Sequence, residues 1–151
     1  MMKKPISLVE RNMTKWIPRD YVVAKKETKN YRFVIYADSS QCSPCFINGL
    51  KEWNELLELE KNKEYNIRLL FIIEPRRGES KLLVKRLSDS KFRHAVLIDE
   101  LSLFRKANPQ IPRETMYHTF LLDKNNNIVL VGNPLYNEDI KKLLYRRLNK
   151  N

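Results

Sequence analysis

The chain has 151 residues, enough for one domain, and its 42% hydrophobic and 31% charged residues indicate a packed core. With 3 Gly and 7 Pro it is neither collagen-like nor a linker, and no apolar run approaches the roughly 20 residues that span a bilayer. The net charge of +11 is spread along the chain without a groove-reading motif, so it predicts no specific nucleic-acid partner. It predicts loose contacts with acidic partners or with an anionic membrane surface.

The first residues are too polar to form a signal peptide. Lys3 and Lys4 are typical of the basic start of such a peptide, but Glu10 and Arg11 interrupt the apolar stretch that should follow. We therefore expect no export signal and no membrane anchor in this chain. Two interpretations stay open, a cytoplasmic protein and a chain whose leader has been removed.

Residues 6–17 have the spacing of a short amphipathic helix, which Pro18 would end. The apolar residues that recur at intervals of three and four are Ile6, Val9, Met13 and Trp16. A short apolar stretch at 21–24 predicts an edge strand. We expect residues 1–30 to be an N-terminal extension packed on a domain that spans residues 31–151, within a single domain overall.

From residue 31 onwards the predicted elements alternate between strand and helix. They are strand 31–37, helix 44–61, strand 67–73, helix 80–87, strand 94–99, short helix 101–107, strands 118–123 and 128–131, and a last helix capped by Asn137. Because alternation of this kind builds parallel sheets, we predict an α/β domain with helices on both faces of its sheet. The two last strands add an antiparallel hairpin.

Cys42, Pro44 and Cys45 carry the clearest chemical signal, a Cys-x-x-Cys at the start of a helix that follows a buried strand. Cys42 would face the unpaired N–H groups and the positive end of the helix dipole, which favour a thiolate. Pro44 fits the first helical turn, where its missing N–H costs nothing. The Cys42 thiolate would attack a substrate disulfide, and Cys45 would then release the reduced substrate. This reaction implies no metal, nucleotide or organic cofactor.

The same cysteines leave two other interpretations open. With His94 and His118 they could form a zinc site, although the spacing differs from that of common zinc modules. They could also be inert buried thiols or a purely structural disulfide.

The order of these elements resembles a known family. The strand, the CxPC segment, the helix, the second strand, the inserted strand and helix at 94–107 and the closing hairpin are similar to the thioredoxin fold, over about residues 31–148. The insertion makes the chain most similar to the thiol–disulfide oxidoreductases of the TlpA type. Their hairpin pattern, T-F-L-I-D-x-x-G-x-I-V, resembles the sequence T-F-L-L-D-K-N-N-N-I-V at residues 119–129.

The resemblance implies a thioredoxin-like α/β fold, with a central mixed sheet flanked by helices. It implies an enzyme in which Cys42 is the exposed nucleophile and Cys45 the buried resolving thiol. Its partners would be a protein thiol or disulfide substrate and an upstream redox partner. Members of the family usually act outside the cytoplasm, so a periplasmic or cell-envelope location is implied, and a cytoplasmic one stays open. The alternative is a redox-inactive thioredoxin-fold module that binds a protein partner.

Three positions depart from the family's pattern. Tyr117 stands where the family has a cis-proline, and because a non-proline cis bond costs about 2.5–4 kcal/mol we expect the Met116–Tyr117 bond to be trans. Gln41 stands where an aromatic residue usually precedes the first cysteine. Tyr36 stands where some thioredoxins carry a buried acid.

Two further residues are candidates for modulating Cys42. His118 would lie near the cysteine pair and could stabilise the thiolate or move a proton, or it could be a strand-start histidine bonded to backbone. Asp38 lies in the loop before Cys42 and could act as a base or hold the turn, and we favour the turn. His94 is expected to be structural.

Overall fold

Six strands form one mixed sheet within the residues that the computed structural model describes, which are 4–19, 21, 30–41 and 43–149. The strands are β1 Thr14–Trp16, β2 Tyr31–Ala37, β3 Ile67–Ile73, β4 Val96–Ile98, β5 Thr119–Leu122 and β6 Ile128–Val131. Their order across the sheet is β1-β4-β3-β2-β5-β6. β2, β3 and β4 are parallel, whereas β1 and the β5–β6 hairpin pair antiparallel.

Helices connect these strands close to the predicted positions. The α-helices are α1 Ser43–Gly49, α2 Asn54–Lys61, α3 Ser80–Asp89, α4 Leu103–Ala107 and α5 Glu138–Asn149, and 3-10 turns lie at Glu10–Asn12, Leu50–Trp53 and Thr115–Tyr117. The helix predicted over 44–61 is therefore α1 and α2 joined by a 3-10 turn. Asn137 caps α5 as predicted, because its Oδ1 accepts hydrogen bonds from the N–H groups of Asp139 and Ile140 at 3.0 and 3.1 Å.

The sheet buries both of its faces. One face of β2 and β3 packs against α1, α2, α3 and α5, and the other packs against α4 and residues 6–13. β2 and β3 are buried along almost their whole length, which confirms the covered strands that their continuous apolar runs predict. In α3, Leu83 and Leu87 are buried in the core, whereas Leu82 is 41% exposed.

Residues 6–17 do not form the predicted helix. A 3-10 turn at Glu10–Asn12 leads into β1, which pairs antiparallel with β4 so that Thr14 lies opposite Ile98 and Trp16 opposite Val96. The pairing supplies β4 with backbone partners that a helix could not, and Ile6 is buried without helical periodicity. The edge strand predicted at 21–24 falls outside the described residues, apart from Tyr21.

Asn108, at the end of α4, anchors the N-terminal segment to the sheet's second face. Its side chain is fully buried and bonds both backbone groups of Ser7, accepting from the N–H at 2.8 Å and donating to the carbonyl at 2.9 Å. It also donates to the carbonyl of Phe104 at 2.9 Å. One amide thus pairs with Ser7 in the way that a neighbouring strand would.

Candidate functional site

Polar residues gather where the parallel strands end. Asp38 directly follows β2, Glu74 follows β3 and Asp99 follows β4, so all three lie at the carboxyl edge of the sheet. The loop that begins at Asp38 runs into α1, which carries Cys45. Open α/β sheets bind their ligands at this edge, so a functional site is expected here.

Cys45 lies in the first turn of α1, where it is disulfide-bonded and exposed. The buried position that the family resemblance implies for it is therefore wrong. α1 directs Ile47 into the core, and a side chain two residues before Ile47 lies on the opposite side of a helix. Pro44 occupies the first turn of α1 and is half-buried. Cys42 lies outside the described residues.

A buried carboxylate accepts two hydroxyl groups at this edge. Glu74 is 8% exposed, and it accepts a hydrogen bond from the Tyr36 hydroxyl at 2.9 Å and another from the Ser102 hydroxyl. Ser102 adopts a left-handed conformation with φ of 55° just before α4. Burial, and then the charge and hydrogen bond of Glu74, raise the pKa of Tyr36 well above its ordinary value. Tyr36 therefore stays a protonated donor at neutral pH.

Arg105 of α4 joins the inserted segment to the loop after β2. Its Nη2 lies 3.3 Å from Asp38 Oδ2, its Nη1 donates to the Ile111 carbonyl at 2.8 Å, and its Cζ lies 5.7 Å from the centre of the Tyr36 ring. The other oxygen of Asp38 accepts from the N–H of Ser40 at 3.0 Å and from the Ser40 hydroxyl. Asp38 thus holds its turn, the interpretation that we favoured, and also pairs with Arg105.

His118 is buried beside this network, with one ring nitrogen unpartnered. Its backbone carbonyl accepts from the N–H of Tyr36 at 2.9 Å, which places the histidine next to the carboxyl end of β2. Nε2 lies 2.9 Å from the Pro112 carbonyl and 3.3 Å from Arg105 Nη2. A carbonyl and a guanidinium cannot both bond one nitrogen here, and the shorter contact places the proton on Nε2. Nδ1 is then a buried acceptor that has no hydrogen-bond partner among the residues that the structure describes.

Tyr117 lies in the 3-10 turn immediately before His118. The Met116–Tyr117 peptide is trans, as expected, and the described part of the chain holds no cis peptide bond. The N–H of Tyr117 donates to the Glu114 carbonyl at 3.0 Å, which closes the turn. Met116 beside it is 69% exposed.

The structure does not bring His94 and His118 together. His94 is buried against Phe71 on the face covered by α1 and α2, where its ring nitrogens lie 2.7 Å from Glu60 Oε1 and 2.9 Å from the Ala95 carbonyl. His118 contacts Tyr36 on the other face of the sheet. Within the described residues, no group of three or more His, Cys, Asp or Glu side chains could hold a metal ion.

Sequence reasoning did not identify Glu74, Ser102 or Arg105 as members of this network. Glu74 had a usable signal, because a charged residue that directly follows an apolar parallel strand lies at the ligand-binding edge. Arg105 had none, since its partner Asp38 is 67 residues away and the pairing depends on how α4 packs.

Comparison with known proteins identifies the fold through solved structures. No family model and no curated protein matches the chain. A candidate thiol:disulfide interchange protein DsbE from Chlorobium tepidum is similar in structure, with a TM-score of 0.54 at 15% identity over 98% of this chain and 97% of that one. A thioredoxin-like protein solved in its oxidised form has a TM-score of 0.54 at 11% identity, over 99% and 95% of the two chains.

A third similar structure is the exposed lipoprotein thioredoxin Etrx1 of Streptococcus pneumoniae, with a TM-score of 0.53 at 17% identity over 80% of this chain and 87% of that one. At such identities a structural likeness establishes the fold. The chain therefore has a thioredoxin-like fold, with a mixed sheet flanked by helices, and the predicted fold class is confirmed.

Proposed function

We propose that this protein is a thiol–disulfide oxidoreductase whose redox centre is the pair Cys42 and Cys45. The observation that carries the proposal is Cys45, which is exposed and disulfide-bonded in the first turn of the helix that follows the central strand of a thioredoxin-like fold. An exposed disulfide at a helix N-terminus is open to attack by an external thiolate, and the thiolate released is stabilised there.

The proposed reaction is a balanced exchange of two electrons and two protons. The Cys42 thiolate attacks one sulfur of a substrate disulfide, the substrate S–S bond breaks, and a mixed disulfide forms as the second substrate sulfur leaves as a thiolate. Cys45 then attacks the Cys42 sulfur and releases the first substrate sulfur. The substrate takes up the two protons that the cysteines lose, and the pair is left oxidised. The reverse sequence oxidises a substrate dithiol.

We assign the neighbouring residues to positions around this reaction. His118 is the candidate to hold or move the Cys42 proton, because its Nδ1 is a buried acceptor with no other partner. Asp38 shapes the loop that leads to the cysteines through its contacts with Ser40 and Arg105. Tyr117, in the turn before His118, would face the substrate where other thioredoxin folds use proline, and Pro44 would start α1 between the cysteines.

The proposed partners are protein thiols or disulfides and an upstream protein that recycles the pair. Two of the similar structures are described as a candidate thiol:disulfide interchange protein and an exposed lipoprotein thioredoxin, which supports a protein substrate and a cell-envelope location. Among the residues that the structure describes, no helix is long and apolar enough to cross a membrane.

A redox titration tests the proposal. The protein would be equilibrated in a series of glutathione buffers, its free thiols alkylated, and the products counted by mass. We expect one reversible two-electron transition, whose midpoint says whether the pair reduces or oxidises substrates. Thiols that stay free, or a disulfide that stays closed across the series, would overturn the redox proposal and favour the binding module.

A further inference from the structure

A polar cavity lies at the end of the two central strands opposite to the proposed redox centre. It has a volume of about 320 Å³, and its lining includes Glu10, Arg11, Arg32, Arg68 and Asn126. Arg32 and Arg68 are the second residues of β2 and β3, so the cavity lies at the amino edge of the sheet. The cysteine loop leaves from the carboxyl edge. The cavity is therefore separate from the proposed redox centre.

Three of the residues around this cavity carry a buried polar atom without a hydrogen-bond partner. In the described part of the chain, four buried side-chain polar atoms lack a hydrogen-bond partner, and three of them belong to residues that line it: Glu10 Oε2, Arg32 Nε and Asn126 Oδ1. Leaving such an atom unpaired costs about 1–3 kcal/mol, so buried polar atoms in native proteins nearly always find partners. Because three such atoms belong to residues around one cavity, a molecule bound in that cavity is the partner to test.

The charges around the cavity favour an anion. Arg32 and Arg68 are register partners on neighbouring parallel strands, so their side chains leave the same face about 4.8 Å apart at the backbone. Arg11 adds a third guanidinium, and the one carboxylate among the described lining residues, Glu10, lies 3.1 Å from Arg68 Nη1. The carboxylate of Asp123 lies close enough for its charge to act on Arg32, and its Oδ1 accepts from the N–H groups of Asn125 and Asn127 in its own turn. The lining carries more positive than negative charge.

The unpartnered atoms also indicate which hydrogen-bonding groups the ligand must carry. Arg32 Nε carries a hydrogen and needs an acceptor, which an oxyanion supplies. Glu10 Oε2 is an acceptor and needs an N–H or O–H from the ligand. We propose that this cavity binds a small oxyanion that also carries a hydrogen-bond donor, with hydrogen phosphate or a hydroxycarboxylate as its simplest forms.

The size of the cavity fits such a ligand. Its volume lies at the lower end of the roughly 300–1,000 Å³ of small-molecule sites, which suits a compact metabolite better than a nucleotide with its base. Bound there, the ligand would bridge the 3-10 turn at Glu10–Asn12 to the first residues of β2 and β3. It would therefore hold the N-terminal segment on the sheet and raise the stability of the protein with its concentration.

The test compares three probes at neutral pH and fixed ionic strength, followed by NMR on the full chain. Hydrogen phosphate and glycolate each offer an oxyanion and an O–H, whereas sulfate offers an oxyanion alone. We expect saturable shifts of the Arg32 Nε–H signal and of the Asn126 side chain with phosphate, glycolate or both, and binding of sulfate weaker by about tenfold. Whichever of phosphate and glycolate binds more tightly shows whether the natural ligand is a phosphate or a carboxylate.

Three variants separate a built site from diffuse charge. Arg68→Gln should weaken all probes by about tenfold. Glu10→Gln should abolish the preference for phosphate over sulfate, because an amide at this position can donate to sulfate. Arg147→Gln removes the same charge from an exposed position on α5 and should change nothing. Each spectrum also reports whether its variant is folded.

The proposal fails on any of three results. The first is the absence of saturable shifts at the cavity with every probe, which would mean that it holds solvent only. The second is equal weakening by Arg147→Gln and Arg68→Gln, which would mean non-specific attraction to a basic protein. The third is an affinity for sulfate as high as that for both phosphate and glycolate in the unmodified protein, which would mean an adventitious ion only.

Discussion

The two ends of β2 and β3 both carry charged side chains, yet they differ in how completely those side chains are paired. At the carboxyl edge, Glu74 accepts two hydroxyl groups and Asp38 pairs with Arg105. At the amino edge, Arg32, Glu10 and Asn126 each keep a buried atom that has no partner within the described part of the chain.

This difference separates two uses of buried polarity. A network whose members satisfy one another fixes a loop in one conformation, which a redox centre needs next to it. A network with unpaired atoms keeps part of its bonding capacity for a ligand. Among the described residues of the carboxyl edge, His118 Nδ1 is the one buried side-chain atom without a hydrogen-bond partner.

The largest expected effect is on stability at the carboxyl edge. Arg105→Gln would leave Asp38, whose side chain is 13% exposed, without its cation, and would free the Ile111 carbonyl. We expect the free energy of unfolding to fall by roughly 2–3 kcal/mol, measured by urea denaturation. A loss of stability no greater than that caused by Arg68→Gln would contradict the expected difference between the two edges.

The next effect concerns the unpaired nitrogen. In reduced protein, His118→Gln should slow alkylation of Cys42 at neutral pH by roughly tenfold, because the ring acceptor is lost. The pH profile of the rate should also change shape. The control is His94→Gln, which removes a buried histidine from the other face of the sheet and should leave the profile as it was. The same change in both variants would mean that His118 acts only through the fold.

A smaller effect should appear in alkaline solution. Burial and Glu74 raise the pKa of Tyr36, so in the window above its unfolded value of about 10 the folded protein holds a proton that the unfolded chain has lost. The contribution of Tyr36 to stability is therefore complete below that pH and falls as pH rises further.

Tyr36→Phe checks this sign. We expect the variant to lose about 1 kcal/mol at neutral pH, because Glu74 loses a donor, and to show a shallower fall in stability above about pH 10. Urea denaturation across that range measures both quantities. Parallel curves for the two proteins would show that Tyr36 ionises normally in the folded state.

The smallest effect is expected at the amino edge. The Arg68 and Glu10 side chains are 38% and 30% exposed, so Arg68→Gln should cost less than about 1 kcal/mol without ligand. Added phosphate should widen the difference, since the unmodified protein would be stabilised by binding. Thermal unfolding with and without phosphate measures this, and equal stabilisation of both proteins would argue against an anion at this edge.

The sequence predicted the elements whose pattern is local. β2, β3 and β6 begin and end where their apolar runs do, and α5 begins at the predicted Asn137 cap. The helix predicted over residues 6–17 is wrong because its apolar spacing is a local signal. Pairing of Thr14–Trp16 with the edge of β4 overrides that signal.

The sequence predicts those features of the candidate site that depend on the order of elements along the chain. It does not predict those that depend on how the elements pack. The position of Cys45 after the central strand follows from the motif, but its exposure depends on which side of α1 faces the core. Arg105 reaches Asp38 only because α4 docks on the second face, and no local pattern records that contact.

The bond between Asn108 and Ser7 has a consequence for the order of assembly. The two residues are separated by 101 positions, and β1 likewise waits for β4. Contacts so distant in sequence close late, because the chain must lose the entropy of a long loop before they repay it. Residues 6–16 should therefore dock last on a sheet that has already formed. Folding followed by pulsed hydrogen exchange would show the Ser7 amide protected after those of β2 and β3.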